Sequence, residues 1–423
     1  MLVQALYNVV DSIFVARLSE NALTAVTLAF PMQNLMIAVG SGTGVGVNAL
    51  LSRALGEKRF ERSDAAANMG LFLTVLNIAV FALLGAFGAR PFIATQTADP
   101  EIAEYAVTYL SIVNCLSAGL FFQMMFERLL QATGRTLQSM ISQATGAIIN
   151  IIFDPIMIFG LFGFPKMGVA GAALATVLGQ CVAAVLGLFL NLKTNPDIRL
   201  SVRRIMRPDR EIISRIYAVG VPSILMMSIG SIMTYCMNRI LIAFSATATA
   251  VFGVYFKLQS FFFMPVFGMN NGLIPVLAYN YGARKRARID EALRFASLLA
   301  VSIMLVGTVA FHLIPGTLLD LFNASPDMKE IGIPALRIIS LCFPVAGVCI
   351  ALGSVFQAFS MSLYSLIISV GRQLVVLIPA AWILARVGGL IAIWWAFPLA
   401  ETISLILSVV LFRKLYREKV ATL

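Results

Sequence analysis

At 423 residues, 60% hydrophobic and only 12% charged, the chain is too apolar for a water-soluble globular domain and leaves no room for a separate soluble module. A formal net charge of +11 would suit a nucleic-acid binder, but the basic residues sit in short loops between long apolar runs, where they report membrane topology. The single histidine, His312, lies near a helix end and the cysteines fall inside apolar runs without metal-ligand spacing, so no metal and no organic cofactor is expected.

Apolar runs of about 20 residues, enough to cross a bilayer as a helix, recur from end to end. They predict spans at 1–17, 22–50, 66–89, 102–127, 137–161, 168–191, 213–242, 248–276, 291–314, 330–357, 363–386 and 389–412. Met1 leads straight into Leu2-Val3-Gln4 without a charged n-region or a small-residue cleavage site, so the first span serves as its own signal. Loops carrying Arg53, Lys58 and Arg59, then Arg128 and Arg135, Arg199 to Arg215, Arg284 to Arg288, and Arg413 to Lys419 are far more basic than the opposite ends. The positive-inside rule makes them cytoplasmic, which puts both termini inside with an even number of crossings.

The second half repeats the first. Gln33 falls on Gln259 (259 − 33 = 226), and the same shift carries Phe30 onto Phe256, Gly42 onto Gly268, Gly56 onto Gly282 and Ser139 onto Ser365. The expected architecture is therefore all-α and polytopic: twelve transmembrane helices in two parallel six-helix lobes related by a pseudo-two-fold axis along the membrane normal. Residues 1–192 form the first lobe, 193–212 a cytoplasmic linker and 213–423 the second lobe. Against its repeat partner the first helix is short by roughly a dozen residues, near the lower limit for a span, and is expected to be truncated.

Candidate chemistry concentrates in the first half. Asp11 is the only acid of the first span, and Asn150 and Asp154 stand four apart, which places them on one helix face. Pro155 follows, removing a backbone donor and predicting a kink. With Thr176 these residues give two carboxylates, an amide and a hydroxyl on three spans. Such a set fits a hard cation, or a proton held because two close carboxylates raise one pKa; the residues leave both open. Glu127-Arg128 reads as an interfacial, structural pair. The second half lacks an equivalent acid: position 154 maps on Ala380, and its buried charges are Lys257, Arg372 and Glu401. Arg372 and Glu401 are expected to form an intramembrane ion pair. Tyr7, Gln33, Met36, Lys257, Gln259 and Phe263 are candidates for a substrate cavity, where aromatic and thioether groups suit lipophilic cations.

Taken together, Tyr7-Asn8-x-x-Asp11, Phe30-Pro31-x-Gln33, Gly40 to Gly46, Glu127-Arg128 through Gly134, Asn150-x-x-x-Asp154-Pro155 and Gly168 to Thr176 resemble the multidrug and toxic compound extrusion (MATE) family, its DinF-like bacterial branch fitting best. The resemblance covers essentially the whole chain. It implies a monomeric twelve-helix exporter of small organic cations and amphipathic drugs in the bacterial inner membrane, in contact with lipid and not with nucleic acid. Export would be driven by inward flow of H+ or Na+, with Asp11, Asn150, Asp154 and Thr176 matching the family's first-lobe cation site. The rival reading, a lipid-linked oligosaccharide flippase of the same superfamily, needs cavity arginines; Lys257 and Arg372 are the available cations. An intramembrane enzyme would need a nucleophile–base pair that the spans do not supply.

Overall fold

The computed structural model describes residues 14, 15, 17–322 and 324–421, apart from the side chains of 20, 23, 24, 27, 242 and 246. Every regular element among the described residues is helical. In chain order the long helices are α1 Glu20–Gly56, α2 Phe60–Ala94, α3 Pro100–Cys115, α4 Ala118–Ala132, α5 Thr136–Phe159, α6 Val169–Thr194 and α7 Arg210–Ile242. There follow α8 Ala246–Gly282, α9 Arg286–Leu313, α10 Pro326–Ser340, α11 Phe343–Ala358, α12 Ser362–Trp394 and α13 Ala396–Leu415. Among the described residues nine helices are long and apolar enough to cross a bilayer, and eleven spans result if α3/α4 and α10/α11, bent by 46° and 47°, each count as one. These correspond to the expected second to twelfth spans. The expected first span lies almost wholly outside the described residues, as do Tyr7 and Asp11.

Small polar residues cap two pairs of these helices at the repeat distance. Ser19 and Ser245 (245 − 19 = 226) each hold extended backbone and accept a hydrogen bond, from the N–H of Ala22 and of Ala248, at 3.0 Å. Each satisfies one of the orphan donors of a helix N-terminus. Asp99 before Pro100 and Ser325 before Pro326 cap α3 and α10 in the same way, with proline in the first turn where no donor is missed. The break at Leu116-Ser117 recurs at Leu341-Cys342, within one residue of the same shift. Even the turns match: Lys58 and Arg284, again 226 apart, both adopt left-handed backbone at φ 58° and 56°.

The helices gather into two compact units, Met1–Ile224 and Leu225–Leu423. The second lobe is expected from 213, and the division falls inside α7 because the first turns of that helix pack on α1. A Cβ on Gly46 would collide with the carbonyl oxygen of Ile216, and one on Gly42 would sit 2.9 Å from that of Gly220. The linker ahead of α7 is tied to unit 1. Asp64 accepts from the Arg199 N–H at 2.7 Å and pairs with Arg204 at 3.1 Å, Asn68 accepts from the Ser201 N–H at 2.8 Å, and Arg135 pairs with Asp197 at 2.7 Å.

Each unit has its own apolar core, containing Tyr109, Leu110, Phe121 and Ile158 in unit 1 and Phe252, Phe311, Phe343 and Trp394 in unit 2. In lipid, burying such groups gains little from exclusion of water, so dispersion and close backbone approach carry the packing. Where helices approach most closely, small residues are required. That requirement shapes the site.

Candidate functional site

α5 and α6 meet at Gly146 and Gly179. A Cβ on Gly146 would lie 2.8 Å from the Gly179 carbonyl oxygen, and a Cβ on Gly179 would lie 2.6 Å from that of Gly146, so neither position accepts a side chain without parting the helices. Asn150 follows one turn after Gly146 and Thr176 precedes Gly179, so the same contact sets the two polar side chains against each other. Asn150, Asp154 and Thr176 are 2%, 0% and 5% exposed. The Asn150 Nδ2 donates to Asp154 Oδ1 and to Thr176 Oγ1, both at 3.3 Å, which brings together three of the four residues expected to form a cation site. The Asn150 Oδ1 is buried and has no hydrogen-bond partner among the described residues. α5 runs on through Pro155 to Phe159 and ends on Gly160 in the left-handed conformation at φ 74°. Proline leaves the Ile151 carbonyl without its usual in-helix donor, so this helix is weakened next to its acid.

Asn150 and Thr176 also wall a polar cavity of about 40 Å³, with room for a few waters, lined further by Gln123, Glu127, Gln143 and Gln180. Sequence reasoning missed its floor. Glu127 is buried, and its carboxylate accepts from Gln123 Nε2 at 2.9 Å. Glu127 and Arg128 interact through space but form no hydrogen-bonded ion pair: successive helix residues do not face each other, and Arg128 bonds Gln131 at 3.0 Å and Ser41 at 3.4 Å. The signal available in the sequence was the run of amides, Gln123, Gln143 and Gln180, on otherwise apolar spans.

In unit 2 the structure brings Arg372 and Glu401 together at 3.0 Å, Glu401 being the more buried partner. Lys257 is exposed, with Nζ 5.8 Å from the Phe322 ring centroid, the geometry of an amphipathic side chain running toward a helix end. Phe263 packs edge-on against Phe343 at 5.2 Å, and Gln33 and Gln259 are half-buried. Met36 departs from its expected place in a cavity lining: it is 0% exposed and belongs to the core of unit 1, because its position on α1 faces inward.

Among known proteins, the family model MatE matches residues 1–156 and 222–383. The multidrug export protein MepA of Staphylococcus haemolyticus is 23% identical over 409 residues, covering 96% of this chain and 89% of the relative. MepA of Staphylococcus saprophyticus is 24% identical over 403 residues, 95% of this chain and 88% of the relative. A solved structure described as an outward-facing conformation of a multidrug resistance MATE family transporter of the MOP superfamily superposes with a TM-score of 0.91 at 27% identity, over 98% of this chain and 92% of that one. Another, of a MOP superfamily transporter from Pyrococcus furiosus whose binding pocket is described as having reverse polarity, gives 0.91 at 26% identity over 98% and 92%. With matching segments in both units and an all-helical, multi-span fold, the chain belongs to the MATE family of membrane transporters.

Proposed function

We infer that this protein is a secondary multidrug exporter of the bacterial cytoplasmic membrane, moving organic cations and amphipathic compounds outward as H+ or Na+ moves in. The observation that carries the reading is the Asn150 amide bridging Asp154 and Thr176 in a fully buried pocket on α5 and α6. A carboxylate at that depth is costly and is retained where it carries ions or protons. The export activity named for the MepA relatives supports the substrate class. Asp11 is proposed to complete the set from the first span. Cation entry neutralises Asp154 and favours a rearranged α5, whose backbone is already short of a hydrogen bond at Pro155. Coupling requires only that the cation bind one conformation better than the other. The working unit is proposed to be a monomer with both termini cytoplasmic, and Gln33, Gln259 and Phe263 are the proposed drug contacts.

The test is efflux of a fluorescent organic cation from proteoliposomes with a proton gradient and a sodium gradient imposed separately, wild type beside Asp154→Asn. Movement under one gradient, reduced about tenfold or more in the variant as expected for lost ion–substrate coupling, supports the reading and names the ion. Full-rate, gradient-driven export by Asp154→Asn would falsify it.

A further inference from the structure

We propose that the cavity beside Asn150 is a second station for a monovalent cation, with the Glu127 carboxylate as its anionic ligand. A carboxylate buried in a membrane bundle needs a positive charge or a proton, yet among the described residues the one hydrogen-bond partner of Glu127 is the neutral Gln123 amide. No charged side chain other than Glu127 lines the cavity. Arg128, the next residue, acts on Glu127 through space but gives its hydrogen bonds to Gln131 and Ser41, leaving the carboxylate without a bonded cation. On the helices packed against α4 and at their ends, Arg53 pairs with Glu57, Arg62 with Glu211, Asp64 with Arg204 and Arg135 with Asp197, Glu61 and Arg90 are exposed, Lys193 lies over Phe189, and Asp154 bonds Asn150. The other polar side chains lining it, Gln123, Gln143, Asn150, Thr176 and Gln180, are neutral and carry oxygens, a set that suits Na+ or a proton rather than a softer ion.

Unit 2 supplies an internal comparison. The repeat shift carries Gly146, which lines the cavity, onto Arg372 (146 + 226 = 372), and Thr176 onto Thr402, the neighbour of Glu401. Where unit 1 has a glycine and a polar cavity, unit 2 has a guanidinium ion-paired at 3.0 Å. One half thus carries its cation as a side chain, and the other keeps a carboxylate and space for a mobile one.

Position gives the station a direction. Glu127 lies five residues before the end of α4, about 8 Å along the axis, whereas Asn150 lies 14 residues into α5, about 21 Å from the same turn at Thr133–Arg135. The cavity therefore leads from the Asn150–Asp154 cluster toward that turn, which the proposed topology makes cytoplasmic. The inward direction, though not the binding, rests on the exporter reading.

The experiment uses the full chain in lipid nanodiscs. Binding of radioactive sodium, and proton uptake after an acid jump read by a pH indicator, are measured for wild type, Glu127→Gln, Glu127→Asp and Asp154→Asn. The expected result is that Glu127→Gln weakens sodium binding about tenfold or more, or, where the station takes a proton, removes a proton-uptake step at an unchanged sodium isotherm. Glu127→Asp recovers part of either. Wild-type behaviour of Glu127→Gln in both measurements overturns the station, as does an equal loss in Glu127→Asp accompanied by a lowered melting temperature, the mark of a structural role. Gradient-driven export surviving in Asp154→Asn while Glu127→Gln still loses binding would instead remove the exporter coupling and leave the station standing.

Discussion

Unit 1 and unit 2 begin α1 and α8 on the same cap and turn the chain on the same left-handed residue, yet their interiors are built on opposite principles. At the counterparts of the two contacting glycines, Gly146 and Gly179, unit 2 has Arg372 and Leu405. Close backbone approach in unit 1 presses Asn150 and Thr176 together; bulk and an ion pair take that place in unit 2. The backbone frame tolerates both. What a repeat must keep is the set of residues that start, break and turn its helices, because those satisfy backbone groups that lipid cannot.

This contrast predicts a ranked series of effects. The largest is expected at the ion pair. Arg372→Ala and Glu401→Ala should each destabilise the protein by about 2–3 kcal/mol, somewhat below the figure for a fully buried pair since Arg372 keeps partial exposure, and the double variant should cost less than the sum of the two. Thermal unfolding in detergent measures this; strict additivity would mean that the two side chains do not hold each other. Next comes Gly179→Leu, which gives unit 1 the residue found in unit 2. Overpacking against the Gly146 carbonyl should cost about 1–3 kcal/mol and part Asn150 from Thr176, so that transport falls further than stability alone explains. Export at the wild-type rate would show that the close approach is incidental. The smallest effects should be the caps: Ser19→Ala and Ser245→Ala are each expected to cost about 1 kcal/mol, and equally. Unequal losses would show that the two starts are alike in geometry but not in load.

Much of this was legible without coordinates. Span positions follow from apolar run length, and the repeat from a constant shift between Gln33 and Gln259. The i, i+4 rule alone put Asn150 beside Asp154. The place of Glu127 was not legible, because a Glu-Arg dyad near a loop reads as a surface pair until helix packing shows that the two side chains diverge and that α5 and α6 roof one of them over. Met36 failed for a related reason. A methionine on an apolar span looks the same whether it lines a cavity or fills a core, and only the rotation of α1 about its axis decides.

The left-handed turns at Lys58 and Arg284 carry a consequence for biogenesis. A side chain in that conformation costs about 1–2 kcal/mol that glycine would avoid, and both repeats nonetheless place a long basic residue there. Native stability is thereby set against insertion, during which a basic loop helps to hold its end of the hairpin on the side where it was made. Lys58→Gly and Arg284→Gly should therefore yield a chain that melts at a higher temperature yet reaches the membrane in mixed orientation, an outcome that protease accessibility of tagged loops would read directly.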